Sequence, residues 1–207
     1  MCRLLETIRI FDGNICHPEF HLRRMHQSRM ECFGIGASLD LDQVIRVPSY
    51  AREGVWRCRI LYGKEIESVE FVRYTRRPVH RLKLLIDDEL DYHLKYADRS
   101  GLGELYGKRG ECDDIIIVRN GMLTDTTIAN LVFWDGNKWF TPNTPLLPGT
   151  QRARLLESGQ IAEAEITLSN YHHFDRVGMI NAFNDLENMQ VIPITHIVPP
   201  GSGMIHQ

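Results

Sequence analysis

The chain has 207 residues, 43% hydrophobic and 25% charged, with a formal net charge of -3 and a pI near 6.3. That is enough polypeptide to bury a real core in one large domain or two small ones. With no basic excess, electrostatics gives no support for a nucleic-acid or membrane-surface role and leaves small molecules or another protein chain as partners. Cys2, Cys16, Cys32, Cys58 and Cys112 are odd in number and widely spaced, without C-x-x-C. A disulfide framework or a structural metal is therefore not expected. The opening MCRLLETIRIFDG lacks a leader pattern and no long apolar run follows, so the chain reads as cytoplasmic and reduced.

In chain order, RLLETIRIFDGNICHPEF alternates apolar and polar residues around Asp12-Gly13, the signature of a hairpin closed by a turn with positive φ. Pro18 suits the first turn of a helix. Phe20, Leu22, Met25, Met30 and Phe33 then form a helical stripe ended by Gly34. A weaker helix is expected from about Leu41 to Arg52, disturbed at Pro48. GVWRCRILYGKEIESVEFVRY reads as two strands around Gly63-Lys64, and TRRPVHR, with no apolar period, as a linker. The expected domains are thus 1–77 and 78–207.

In the second part, LKLLIDDE is a strand, and DRSGLGELYGKRGE has helical spacing interrupted by glycine. CDDIIIVRNGMLTD is a buried strand with an Asn-Gly turn, and IANLVFWDGNKWFTP is a hairpin across Asp135-Gly136. After Gly149 the spacing turns helical through TQRARLLES; a strand near IAEAEITL, a short helix near Ser169 and the strand RVGMINAF follow.

LLPGTQR leads straight into a helix, so backbone N–H groups near Thr150 and Gln151 can meet a phosphate at the positive end of the helix dipole. Many helices begin this way with only water or a side-chain cap, so this alone does not define a site. Arg57 and Arg59 alternate along a strand and share one face, as two donors for a substrate carboxylate would; solvent-facing arginines give the same pattern.

Read together, LLETIRIFDG, HLRRMHQS, LKYADR, LTDTTIANLVFW…TP…LLPGTQR and INAF…VIPI resemble, in order, segments of the class IV pyridoxal-phosphate-dependent aminotransferases. The resemblance runs from about Leu4 to Ile194. It implies a two-domain α/β (α+β) fold, a small N-terminal α/β sandwich followed by a strand-rich, barrel-like C-terminal domain. It also implies that Lys95 carries pyridoxal 5'-phosphate as a Schiff base. A desolvated lysine amine can attack the aldehyde and later shuttle a proton; without the match, Lys95 would be an ordinary solvated lysine.

The resemblance assigns Arg24, rather than its neighbour Arg23, to the phosphate as a fork-shaped donor. It assigns Asp125 to the pyridine nitrogen, where the family's usual residue is glutamate and where a plain turn aspartate is the alternative. Gly149, Thr150 and Gln151 would hold the phosphate through their backbone, joined by Asn181 or Ala182. Arg57, Arg59 and Arg99 would meet the substrate.

The short start at LLET, the arginine four residues after Lys95 and the ANLVFW version of the signature resemble the aminodeoxychorismate lyase branch. That branch converts 4-amino-4-deoxychorismate to 4-aminobenzoate and pyruvate in folate synthesis. A branched-chain or D-amino-acid transaminase and a non-catalytic family member are the alternatives; Ser100, where transaminases carry tyrosine, argues against the first. The resemblance also implies a homodimer and an association with aminodeoxychorismate synthase.

Overall fold

A computed structural model of the chain describes residues 2–37 and 39–201. The chain divides into two compact units, residues 1–76 with 92–98 and residues 77–91 with 99–207. The short stretch holding Lys95 thus packs with the first unit although it lies well inside the second in sequence.

In the first unit, β1 (Leu4–Phe11) turns at Asp12 and Gly13, with φ of 47° and 80°, into β2 (Asn14–Ile15). Two successive positive φ values match the right-handed twist of the flanking strands, which is why Asp-Gly closes this hairpin. The helix α1 (Pro18–Phe33) starts on proline and stops where Gly34, at φ 67°, turns left-handed and donates its N–H to the carbonyls of Arg29 and Met30. The second helix falls short of its expected length. Only α2 (Leu41–Val44) forms, one turn capped by the Asp40 carboxylate on the Asp42 N–H, and Pro48 then opens a separate 3-10 turn at Ser49–Ala51. The proline cannot donate the hydrogen bond a continuous helix requires there.

Strands β3 (Val55–Tyr62) and β4 (Ile66–Arg73) complete an antiparallel sheet of order β2-β1-β3-β4. Register pairs Leu4 with Tyr62, Glu6 with Ile60 and Ile8 with Cys58. This inward row packs against Met25 of α1, together with Leu41 and Leu94.

The second unit holds two sheets. β5 (Leu82–Ile86) and β6 (Asp114–Arg119) run parallel, with β13 (Ile197–Val198) and β7 (Met122–Leu123) at the edges and α3 (Ser100–Gly107) in the chain between β5 and β6. β8 (Asn130–Trp134) and β11 (Arg176–Ile180) lie antiparallel at the centre of the other sheet. That sheet is completed by β9 (Trp139–Pro142), β10 (Ile161–Ala164) and β12 (Gln190–Pro193), and α4 (Thr150–Glu157) connects β9 to β10. Leu84, Ile116, Leu131, Phe133 and Val177, drawn from both sheets, share one core cluster. Asn120, at φ 49°, and Gly121 form the turn into β7 by the same rule as the first hairpin. Among the described residues no helix is long and apolar enough to cross a membrane.

Close packing across the central strands yields a stability prediction. A Cβ on Gly178 would approach Met189 Sδ to 2.5 Å and Val132 Cγ2 to 3.0 Å. The methionine can swing but the valine is itself fully buried, so Gly178→Ala should destabilise the protein by about 1–3 kcal/mol in urea unfolding.

Candidate functional site

An inward position of β1 carries a charge. Glu6 alternates with Leu4, Ile8 and Ile10 and is fully buried, yet accepts hydrogen bonds from two residues of α1. Arg24 donates from Nε at 3.1 Å and from Nη2, and His21 Nδ1 lies 2.9 Å from Oε1. His21 and Arg24 are three apart on the helix and so face the same strand. Burial alone would push the Glu6 carboxyl up; the Arg24 guanidinium and His21 outweigh it and hold it far below the usual carboxylate range. Arg23 points outward over the Phe20 ring, so of the adjacent arginines Arg24 is the one turned inward.

Lys95 lies along the edge of β1. The Leu5 N–H donates to the Lys95 carbonyl at 2.8 Å, the Ala97 N–H donates to the Arg3 carbonyl at 2.8 Å, and Leu4 bridges Tyr96. Leu94 and Tyr96 pack into the core cluster on either side, and the Tyr92 hydroxyl donates to the Tyr96 carbonyl at 3.0 Å. Lys95 is thereby a half-buried residue on a backbone pinned at both neighbours.

Arg57 and Arg59 do share a face of the sheet, opposite to that of Glu6, and Arg9 stands across from Arg57 in register. Arg57 lies over the Tyr74 ring, and Arg59 pairs with Glu70 at 3.4 Å. On this face a cleft of about 240 Å³ is lined by Arg3, Arg59, Ser68, Glu70 and Ala97.

In the second unit, Asp125 is buried at the mouth of a tight turn, bridging Asn130. Asn130 Nδ2 donates to Asp125 Oδ1 at 2.8 Å and to the Leu147 carbonyl at 2.9 Å, and the Leu147 N–H donates to Asp125 Oδ2 at 2.8 Å. Burial pushes the Asp125 carboxyl up to about 7, against the opposing effect of these donors and of Arg152. The same Asn130 packs on Gly149, where any Cβ would overlap its amide oxygen. Gly149 must be glycine for this reason, and it opens α4 without a side chain to cap the first turn. Thr150 and Gln151 are buried there, and Gln151 Nε2 has no hydrogen-bond partner among the described residues.

Asn181 spends its side chain locally: Oδ1 accepts from the Phe183 N–H at 2.9 Å and Nδ2 donates to the Ile128 carbonyl at 3.3 Å. Ala182 lies in the same turn. Arg99 donates to the Thr127 carbonyl at 2.5 Å, tying the start of α3 to the turn that follows Asp125.

Sequence reasoning missed Glu6, His21, Arg9 and Asn130. A charged residue at an inward position of an alternating strand was the available signal for Glu6. Nothing local distinguishes Asn130 from any strand-opening asparagine.

Glu6 and Asp125, both buried, predict opposite pH responses. Asp125 titrates near 7 when folded and near 3.9 when unfolded, so the native state binds more protons between these values. Its contribution to stability is full below about 4 and is lost as pH rises through about 7. Glu6 has a lowered folded value, so its contribution is present above about 4.3 and lost as pH falls. Asp125→Asn should flatten the stability difference between pH 4 and 7 in urea titrations; an unchanged slope would refute the assignment.

A sequence model of the family described as amino-transferase class IV matches residues 93–197. An uncharacterized protein of Haemophilus influenzae is 39% identical over 188 residues, covering 90% of this chain and 100% of that protein. A Schizosaccharomyces pombe protein with the provisional name aminodeoxychorismate lyase is 34% identical over 76 residues, 34% of this chain and 33% of its own. A crystal structure from Haemophilus somnus, provisionally described as a 4-amino-4-deoxychorismate lyase, superposes with a TM-score of 0.82 at 35% identity, covering 90% of this chain and 98% of that one. One from Mesorhizobium loti, provisionally described as an amino-acid aminotransferase, gives 0.76 at 21% identity over 96% and 100%, a likeness of fold alone.

Proposed function

This chain belongs to the class IV aminotransferase family, and we propose that it is a pyridoxal-phosphate-dependent lyase converting 4-amino-4-deoxychorismate to 4-aminobenzoate and pyruvate. The observation that carries the reading is the frame built on Asn130, which joins a buried carboxyl to an uncapped helix start. A ligand bearing both a ring nitrogen and a phosphate has that chemistry. The likeness to the Haemophilus somnus protein over nearly its whole length supports the lyase branch.

The residues fit the cofactor. The first N–H groups of α4 at Thr150 and Gln151 are suited to its phosphate, and Gln151 Nε2, without a partner among the described residues, is a further buried donor nearby in sequence. Asp125 uses one acceptor site on each oxygen for protein donors, and a carboxylate has about four such sites, so it can still accept from a protonated ring nitrogen. Arg24, oriented by Glu6, is the guanidinium proposed for the phosphate, and Lys95 the amine that holds the aldehyde. When bound, pyridoxal phosphate supplies an electron sink for breaking a bond at the substrate's amino-bearing carbon.

The chain's own groups would do the rest. The Lys95 amine, when free, would take the proton from that carbon and return a proton to the departing three-carbon group. Its backbone, fixed by Leu5 and flanked by anchored neighbours, limits where the amine can reach. Arg57 and Arg59 are the proposed donors for a substrate carboxylate, and Arg99 supports the turn after Asp125.

Purified protein supplied with the cofactor, chorismate, an ammonia donor and the enzyme that forms aminodeoxychorismate should release 4-aminobenzoate without a keto-acid acceptor. Lys95→Ala should abolish both product and the visible absorbance of protein-bound cofactor. Cofactor bound by the wild type with no product would sink the lyase; keto-acid formation from an amino acid only when an acceptor is present would establish the transaminase instead.

A further inference from the structure

The sequence offers no disulfide framework, and all five cysteines are free thiols. Two of them nevertheless meet. Cys2, just before β1, and Cys32, in the last turn of α1, place their sulfurs 2.9 Å apart although they are 30 residues apart in the chain. Both are half-buried at the rim of the first unit's core cluster, within reach of a small oxidant. Cys16 instead donates to the Asn14 carbonyl, and Cys58 and Cys112 are buried.

We propose that Cys2 and Cys32 form a modification site, a thiol pair that a peroxide converts to an intramolecular disulfide clamping the start of β1 to the end of α1. Burial and the hydrogen bond with Cys2 push the Cys32 thiol up to about 12, and either sulfur of the pair can attack first with the same overall balance. Where Cys2 leads, its sulfur, as thiolate, attacks one peroxide oxygen; the O–O bond breaks and the leaving hydroxide gains a proton to become water. Cys2 is then a sulfenic acid. Cys32 sulfur displaces its oxygen, forming the S–S bond, and the Cys32 proton leaves with that oxygen as a second water. In sum, two thiols are oxidised by two electrons and one hydrogen peroxide is reduced to two waters.

The clamp acts on a strand end that matters. Arg3 and Leu5, immediately after Cys2, make the backbone hydrogen bonds to Ala97 and Lys95. A covalent tie at Cys2 removes the fraying through which the end of β1 would release those bonds.

The test uses the full chain, reduced and then treated with hydrogen peroxide, and is independent of any catalytic activity. Non-reducing peptide mapping should show one linked pair, Cys2 with Cys32, two hydrogen atoms lighter than the free peptides and reversed by a thiol reductant. The oxidised protein should melt roughly 5–10 °C higher than the reduced one and exchange the Ala97 amide more slowly, with both changes absent in Cys2→Ser and in Cys32→Ser. Oxidation of these sulfurs to sulfinic acid without linkage, linkage to another cysteine, or a linked protein with unchanged melting and exchange would each overturn the proposal.

Discussion

A carboxylate without water fixes the first unit. Glu6 lies between a sheet and a helix, and an uncompensated charge there would cost several kcal/mol; Arg24 and His21 compensate it from a single face of α1. Geometry follows from this demand. The helix must dock with that face on β1, and β1 must keep the register that points Glu6 inward, since a slip of one residue would turn it to the opposite face. Removing one partner of such a buried pair typically costs about 3–5 kcal/mol, more than the hairpin turn or the helix cap contributes.

The second unit has its own fixed point in Asn130. One side-chain amide bonds the Asp125 carboxyl and the Leu147 carbonyl, and its oxygen side excludes a Cβ at Gly149. The turn after β7, the start of β8 and the entry to α4 are therefore positioned together. Within the turn-rich stretch from Gly121 to Arg152, the segment Leu147–Gly149 brings a carbonyl and a side-chain-free Cα to that one amide. The short Asp125 side chain reaches both of its protein donors, Asn130 and the Leu147 N–H, from the same turn.

Some elements were readable because they depend on neighbours in sequence. Asp12-Gly13 and Asn120-Gly121 close turns that need positive φ, and Pro18 and Gly34 bound α1, each by the local stereochemistry of the residue itself. The common face of Arg57 and Arg59 followed from strand periodicity. The helix expected over residues 41–52, with a disturbance at Pro48, is reduced to Leu41–Val44 and a separate turn, because Pro48 cannot donate the next helical hydrogen bond. Lys95 stood out through the company of its segment. Its attachment to β1 did not, because a pairing with Leu5, ninety residues upstream, leaves no mark in the residues on either side.

By itself, then, the sequence determined where chain direction changes, which residues face a core and which family the pattern resembles, since these rest on torsional preference and periodicity. Tertiary structure decided what the buried polar groups meet. Periodicity turns Glu6 inward but does not name Arg24 and His21, and no spacing rule links Asp125 to Leu147 or Cys2 to Cys32. Those partners are chosen by helix docking and strand register, and burial makes the choice consequential, because a charge removed from water is stable only beside the group that replaces it.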